Sequence, residues 1–103
     1  MDKKILYKNA LHKWGIKLQL EILVEECIEL SYATLKFIRH GNLHDILIVG
    51  IFDDVLLERI FDEIADVEIM IEQFKQMFGE SRIEQIKEQK LIRLKDLIEQ
   101  NGL

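Results

Sequence analysis

Proline is absent from this chain, and glycine occurs only 5 times in 103 residues. Because these two residue types make most sharp turns and strand breaks, a sequence so poor in them favours a few long elements. Apolar residues recur at intervals of three and four almost throughout, and no stretch shows the strict alternation of a half-buried strand. The pattern predicts an all-α fold in a single domain, residues 1–103.

Cysteine is almost absent too: Cys27 stands alone, which excludes an internal disulfide. On a helix between glutamates, its thiol is expected to pack as a small apolar side chain. The longest apolar run, residues 46–52, is far shorter than the roughly 20 residues that cross a bilayer. The N-terminus also lacks the apolar core and small-residue cleavage site of a signal peptide. We therefore expect no membrane association and a reducing, cytoplasmic location.

Positive charge is scarce as well, with 14 Lys and Arg against 19 Asp and Glu and a formal net charge of −5. No basic cluster is dense enough to follow a phosphate backbone, which argues against a nucleic-acid partner. The sequence has no nucleophile elbow, no glycine-rich phosphate loop and no Cys/His metal-ligand spacing. An anionic substrate would therefore need metal ions as intermediaries.

Breaks in the helical pattern divide the chain into segments. Gly15, Gly41 and Gly79 each end a helix, and the capping box that begins at Ser81 opens the last one. Residues 43–52 either form a short additional helix or contact a second subunit, since their apolar side chains cannot all face one small core. The predicted helices, four to five in all, include residues 3–14, 16–40, 53 or 54 to 78, and 81–100.

Two acidic pairs interrupt apolar helical stripes. Glu26 and Glu29 lie on the inward side of the second predicted helix, and Glu63 and Asp66 repeat the i, i+3 arrangement on the third. Burying an unpaired carboxylate costs several kcal/mol, so these groups must be protonated, paired with bases or bound to metal. Oxygen donors of this kind suit Mg²⁺ or Mn²⁺. The stripe around Glu26 comprises Gln19, Ile22, Leu23, Leu30, Ala33 and Phe37, and that around Glu63 comprises Leu56, Ile60, Val67, Met70 and Phe74.

An ordinary structural explanation of these acids stays open. Glutamate is frequent in this chain, and acidic helices often carry it at i, i+3 spacing by accident. Arg59, one turn before Glu63, could neutralise it as an i, i+4 pair. A ferritin-like di-iron site is excluded, because no histidine follows a glutamate by three residues.

The ordered pair Glu25-Glu26-x-x-Glu29 and Glu63-x-x-Asp66 resembles the signature of the all-α nucleoside triphosphate pyrophosphohydrolases, the MazG-like family. Trp14-Gly15 and the apolar positions of residues 63–70 extend the resemblance, which covers about residues 14–94. It implies a MazG-like helical bundle, assembled as a homodimer or homotetramer. The implied reaction is Mg²⁺-dependent hydrolysis of a nucleoside or deoxynucleoside triphosphate to the monophosphate and pyrophosphate, with Mn²⁺ as a substitute, in nucleotide-pool housekeeping.

The resemblance also assigns roles to individual residues. The metal ligands it implies are Glu26, Glu29, Glu63 and Asp66, the four acids that the stripes single out. Glu25, Glu26 and Glu63 form the expected catalytic group, in which Glu25 orients water or supports the ligands, unless it is simply a surface residue.

Substrate contacts are expected from three further residues. Lys90 and Arg93 match a Lys-x-x-Arg arrangement of the family, although Gln89 stands where relatives carry asparagine, and a charged terminal helix is often just a solvated face. Trp14 either stacks on a nucleobase or anchors the core or an interface. Two other functions remain open: a non-enzymatic helical module whose acidic stripe binds a basic partner, and a nucleotide sensor without turnover.

Overall fold

The computed structural model of the chain describes residues 1–41 and 55–100. These residues are helical, as predicted, and none of them lies in a strand. Helix α1 spans Lys3–His40, α2 spans Val55–Phe78 and α3 spans Ser81–Gln100. Residues 43–52, for which the sequence predicts an extra helix or a subunit contact, lie outside the described residues. The described parts therefore show three helices, and the expected four to five are not confirmed.

Helix α1 is bent at Gly15, where the sequence predicts a break between two helices. Gly15 has φ 81° and ψ 165°, a conformation that only glycine adopts without strain. The helix resumes directly after this residue, so the predicted boundary is a kink within one element. At its start, the Asp2 side chain accepts hydrogen bonds from the backbone N–H groups of Lys4 and Ile5, at 2.9 and 3.3 Å, and caps the helix.

Helices α1 and α2 pack antiparallel. At one end, Gln76 near the end of α2 donates a hydrogen bond to the Lys4 carbonyl oxygen at 2.8 Å. At the other end, Ala33 and Lys36 of α1 lie beside the first turns of α2. Among the described residues, the buried apolar side chains are few: Tyr7, Ala33, Ile60, Val67 and Met70. This shared face brings the two acidic stripes against each other.

Helix α3 differs from the other two because it buries no residue. It follows a turn at Gly79 (φ 91°), and the Lys75–Glu84 salt bridge of 3.3 Å ties its first turn to α2. Ile83 and Ile86 in its first half are half-buried. The apolar side chains of its second half lie exposed, including Leu91, Leu94, Leu97 and Ile98. None of the described helices has the length and apolarity that a membrane span requires.

Candidate metal centre

The residues that flank Glu26 and Glu63 are inward-facing, as the helical periodicity predicts. On α1 the residues of the predicted stripe around Glu26 are buried or half-buried, while Glu29, at the edge of the stripe, is exposed. On α2 the stripe is buried on both sides of Glu63, and Asp66 is half-buried. The predicted stripes are thus confirmed residue by residue: Gln19, Ile22, Leu23, Leu30, Ala33 and Phe37 on α1, and Leu56, Ile60, Val67, Met70 and Phe74 on α2.

Glu63 is the most buried large side chain described, with 1% of its surface exposed. Its Oε1 lies 2.9 Å from Arg59 Nη2, so the i, i+4 pair that the sequence permits is formed. Its Oε2 is buried and finds no hydrogen-bond partner among the described residues. Glu26 Oε2 is in the same situation on the facing helix. One arginine therefore leaves two buried acceptors without a donor, which is a costly arrangement unless a cation joins it.

The carboxylates converge in two overlapping groups. Glu26, Glu29 and Glu63 each offer an oxygen within 4.8 Å of the others, and Asp62, Glu63 and Asp66 do the same. Glu63 belongs to both groups, so the four acids predicted from the sequence form one continuous centre across the α1–α2 interface. Asp62 was not predicted, because it lies off the apolar stripe and is exposed; its place directly before Glu63 is the only signal for it in the sequence.

The electrostatics of the centre favour an added positive charge. Burial raises the pKa of Glu26, and the negative charges of Asp66, Glu29 and Glu63 raise it further. Burial also raises the pKa of Glu63, against the opposing effect of the Arg59 guanidinium. Both carboxylates are therefore held in surroundings that penalise their charged forms. A cation at the centre would reverse that penalty.

The donor set fits a hard divalent cation. All ligands on offer are carboxylate oxygens, the type that Mg²⁺, Mn²⁺ and Ca²⁺ prefer, and neither group contains histidine or cysteine. Two of the oxygens are already buried and unpaired, so binding would not have to break hydrogen bonds to them. The exposed Glu29 and Asp62 leave the outer side of the centre accessible. Nothing in this geometry distinguishes Mg²⁺ from Mn²⁺.

The other residues predicted to take part lie outside the two carboxylate groups. Glu25 is exposed on α1, and Lys90 and Arg93 are exposed on α3. Trp14 is 50% exposed at the kink of α1, with Lys13 Nζ 5.3 Å from its ring centroid. Their assigned roles stay predictions. The expectation that Cys27 packs as a small apolar side chain is wrong: its position on α1 turns the thiol away from α2, and it is exposed.

A cavity of about 650 Å³ adjoins the carboxylate centre, between the C-terminal half of α1 and the first turns of α2. Glu29, a member of the centre, also lines this cavity, and so does Arg59, which pairs with Glu63. Tyr32 and Lys36 complete its charged and aromatic wall. This wall was not predicted from the sequence, although positions 29, 32, 33 and 36 have the spacing of one helix face.

Towards the other end of α2, Glu72 has a different environment. It accepts hydrogen bonds from the Tyr7 hydroxyl and, at 3.4 Å, from Lys3 Nζ. The Tyr7 hydrogen bond lowers the pKa of Glu72, and Lys3 lowers it further. This contact fastens the N-terminal arm of α1 to α2. The sequence gives no sign of it, because Tyr7 and Glu72 are far apart along the chain.

Comparison with known proteins adds no identification. Family models, curated proteins and solved structures were compared with the chain, and none of them matches. The geometry and the motifs therefore carry the functional argument.

Proposed function

We propose that this protein is a divalent-cation-dependent hydrolase that converts a nucleoside or deoxynucleoside triphosphate to its monophosphate and pyrophosphate. The observation that carries the proposal is the pair of buried, unpartnered oxygens, Glu26 Oε2 and Glu63 Oε2, on facing helices. A carboxylate centre of this kind would hold Mg²⁺, with Mn²⁺ as a substitute. The ordered motifs that resemble the MazG-like family support the same reaction.

The proposed reaction is the attack of water on the α-phosphorus. A bond forms between the water oxygen and the α-phosphorus, the bond from that phosphorus to the bridging oxygen breaks, and pyrophosphate leaves. A divalent cation held by Glu26, Glu29, Glu63 and Asp66 would lower the pKa of bound water and offset phosphate charge. Glu26 and Glu63 fix the position of the centre because they are its inner members.

The water must also lose a proton. Exposed carboxylates at the rim can accept it and pass it to solvent. We assign this role to Glu25, which lies beside Glu26 on the exposed flank of α1. Lys90 and Arg93 are proposed as phosphate contacts, since α3 is free of packing constraints and a neighbouring subunit could present it. The housekeeping role, the removal of unwanted nucleotides in the cytoplasm, rests on the resemblance, and the single exposed thiol of Cys27 suits a reducing compartment.

The direct test is release of pyrophosphate and monophosphate from a panel of ordinary and damaged ribo- and deoxyribonucleoside triphosphates. Reactions with Mg²⁺, Mn²⁺ and chelator are compared. Glu63→Gln should lower cation-dependent release by more than about 100-fold, the upper end of losses seen when residues behind metal ligands are changed. Glu68→Gln, an exposed glutamate of the same helix, is the matched control and should retain the rate. Inertness of the folded, cation-loaded protein towards the whole panel would contradict the proposal.

We also propose that the chain functions as a homodimer or homotetramer. Its accessible surface is 8537 Å², whereas a compact monomer of 12.2 kDa would expose about 6,100 Å². Its radius of gyration is 17.6 Å, against roughly 13 Å for a compact chain of this length. The exposed apolar residues of α3 are the natural surface for a second copy to cover.

Sedimentation velocity tests the assembly. We expect a single species of twice or four times the chain mass, and Leu94→Glu with Leu97→Glu on α3 should shift it towards the monomer. Glu88→Gln, an exposed change on the same helix, is the control. A wild-type monomer at micromolar concentration would contradict this part of the proposal.

A different class of function is favoured by one contact, the Arg59–Glu63 pair. In it a guanidinium pairs with one oxygen of the buried Glu63 carboxylate, and a basic partner helix could do the same for Glu26 and Asp66. In that case the protein would be an interaction module without turnover. Divalent ions would then leave its melting temperature unchanged, whereas a metal centre requires them to raise it. A nucleotide sensor would bind the triphosphate with the cation and release no pyrophosphate.

A further inference from the structure

The cavity next to the carboxylate centre has the size of a small-molecule site. Its volume of about 650 Å³ lies within the range of roughly 300–1,000 Å³ that such sites occupy. It is formed by the C-terminal half of α1 and the first turns of α2. Because Glu29 lines the cavity and is also a member of the carboxylate group with Glu26 and Glu63, the two sites are contiguous.

The wall of the cavity combines apolar and aromatic surface with two positive charges. Ile28 and Ala33 of α1 supply apolar surface, and the ring of Tyr32 is 64% exposed beside them. Lys36, one turn further along α1, places its Nζ 5.4 Å from the Tyr32 ring centroid. Arg59 enters from α2. An exposed aromatic ring beside a cationic side chain is typical of a surface on which a flat, polar ring stacks.

The charge of the cavity depends on the carboxylate centre. Glu29 is its acidic member, and a divalent cation bound by Glu26, Glu29 and Glu63 would neutralise that acid. Lys36 and Arg59 would then dominate the field at the cavity. Arg59 has 63% of its side chain exposed, so it can face the cavity while one of its nitrogens holds Glu63. A loaded centre therefore makes this a site for an anion with an aromatic body.

We infer that this cavity receives the base of the nucleotide, stacked on Tyr32, while Lys36 and Arg59 face the adjoining phosphates. The inference rests on the proposed function, because it places the phosphates at the carboxylate centre and the base beside it. It also selects between two aromatic residues. The sequence leaves Trp14 as either a stacking residue or an anchor of the core or an interface, and Trp14 is not among the described residues that line this cavity, whereas Tyr32 is.

Binding rather than turnover tests the inference. The probes are nucleoside triphosphate analogues with a methylene group between the α- and β-phosphorus, one for each common base, and inorganic tripolyphosphate, which has no base. Their dissociation constants are measured by calorimetry with Mg²⁺ and with chelator. The proteins are wild type, Tyr32→Ala, Tyr32→Phe and Trp14→Ala, with Phe61→Ala as a control for the loss of an exposed ring outside the cavity.

We expect at least one nucleotide analogue to bind more tightly than tripolyphosphate. Tyr32→Ala should weaken that nucleotide by about 5- to 150-fold, the range that corresponds to the loss of one stacked base. It should leave tripolyphosphate unchanged, because that probe lacks a ring. Tyr32→Phe should bind as wild type does, and Trp14→Ala and Phe61→Ala should have no effect. Melting curves of all variants establish that they are folded.

The inference is overturned if Tyr32→Ala binds every analogue within twofold of wild type, or if the loss appears with Trp14→Ala instead. It is also overturned if tripolyphosphate binds as tightly as any nucleotide, since the base then contributes nothing. Pyrophosphate release by the wild type separates these results from a failure of the proposed function. Binding that depends on Tyr32 without pyrophosphate release would contradict the hydrolase proposal and support the base site. Pyrophosphate release with binding that does not depend on Tyr32 would support the hydrolase proposal and contradict the base site.

Discussion

Glu63 and Glu72 lie on the same helix and both face α1, yet their environments are opposite. Glu72 accepts hydrogen bonds from Tyr7 and Lys3, and its pKa is lowered. Glu63 faces the acids of the other stripe with only Arg59 as a partner, and its pKa is raised. Glu72 therefore finds its hydrogen-bond donors within the protein. Glu63 keeps one buried oxygen without a donor, in a group of carboxylates that could hold a metal ion.

The difference comes from the two arms of α1. The arm before Gly15 presents donors, Tyr7 and Lys3, to the end of α2. The arm after Gly15 presents carboxylates, Glu26 and Glu29, to the middle of α2. A buried acid that meets donors stabilises the fold by itself, whereas one that meets acids depends on an added charge. Four predictions test this contrast.

The largest effect should come from divalent cation. A cation that binds only the folded state at 100 times its dissociation constant adds about 2.7 kcal/mol to the free energy of unfolding. For a domain of this size that corresponds to a rise of roughly 10–20 °C in melting temperature. Glu63→Gln should abolish the rise and Glu72→Gln should retain it. Calorimetric scans with Mg²⁺ and with chelator measure both, and an equal response of the two variants would remove the contrast.

The next effect should come from the kink that separates the two arms. At Gly15 an added Cβ meets no atom within 4 Å, so Gly15→Ala tests backbone strain alone. A non-glycine residue in this conformation costs about 1–3 kcal/mol. Denaturant unfolding should show that loss. Gly79→Ala should cost less despite its φ of 91°, because α3 buries nothing and can shift to relieve the strain. Equal losses would show that the kink is not held by packing.

A smaller effect on stability is expected from the hydrogen bond between Tyr7 and Glu72. Tyr7→Phe removes the hydroxyl that donates to Glu72 and should cost about 1 kcal/mol. The hydrogen bond to Glu72, together with burial, raises the pKa of Tyr7 to about 12. Its contribution is therefore complete below the ordinary value of 10.0 and lost as the pH rises towards 12. Denaturant melts at pH 8 and pH 11.5 should show the variant losing less than wild type on alkalinisation; parallel losses would contradict this.

The smallest effect should be the acid response of the cation-free protein. Because the folded state raises the pKa of Glu26 and Glu63, it binds protons more tightly than the unfolded state does. The free energy of unfolding should therefore fall as the pH rises above the ordinary value of 4.5. Below 4.5 it should fall again as Glu72 and Glu84, whose pKa values are lowered, become protonated.

Melting temperatures between about pH 2 and pH 8 in chelator measure this profile. Glu26→Gln with Glu63→Gln should flatten the upper limb and leave the lower limb in place. Added Mg²⁺ should reverse the slope of the upper limb in the wild type, since protons compete with the cation. If the free energy of unfolding of the wild type rises steadily from pH 4.5 to pH 7 in chelator, folding does not raise the pKa values of Glu26 and Glu63.

Local periodicity allowed the site to be anticipated. The three- and four-residue spacing of apolar side chains places Glu26 and Glu63 inward whatever the partner helix is. The same spacing predicts the edge position of Glu29, which is exposed. Gly79 correctly predicts the end of α2 at Phe78, whereas the helix end predicted at Gly15 is a kink within α1. The prediction that Cys27 packs in the interior fails, because its position lies outside the buried stripe of α1 and the residue is exposed.

The helical class and the inward position of Glu26 and Glu63 could be read from the amino-acid sequence, because both follow from contacts within a few residues along the chain. Helix packing was needed to see three further features: oxygens from two helices converge within 4.8 Å, Arg59 pairs with one oxygen of Glu63 and leaves the other, and Tyr7 meets Glu72. The cavity beside Tyr32 also depends on how the two helices pack, because residues of both line it. Such features depend on the kink angle at Gly15 and on the register of two helices, which no local pattern encodes.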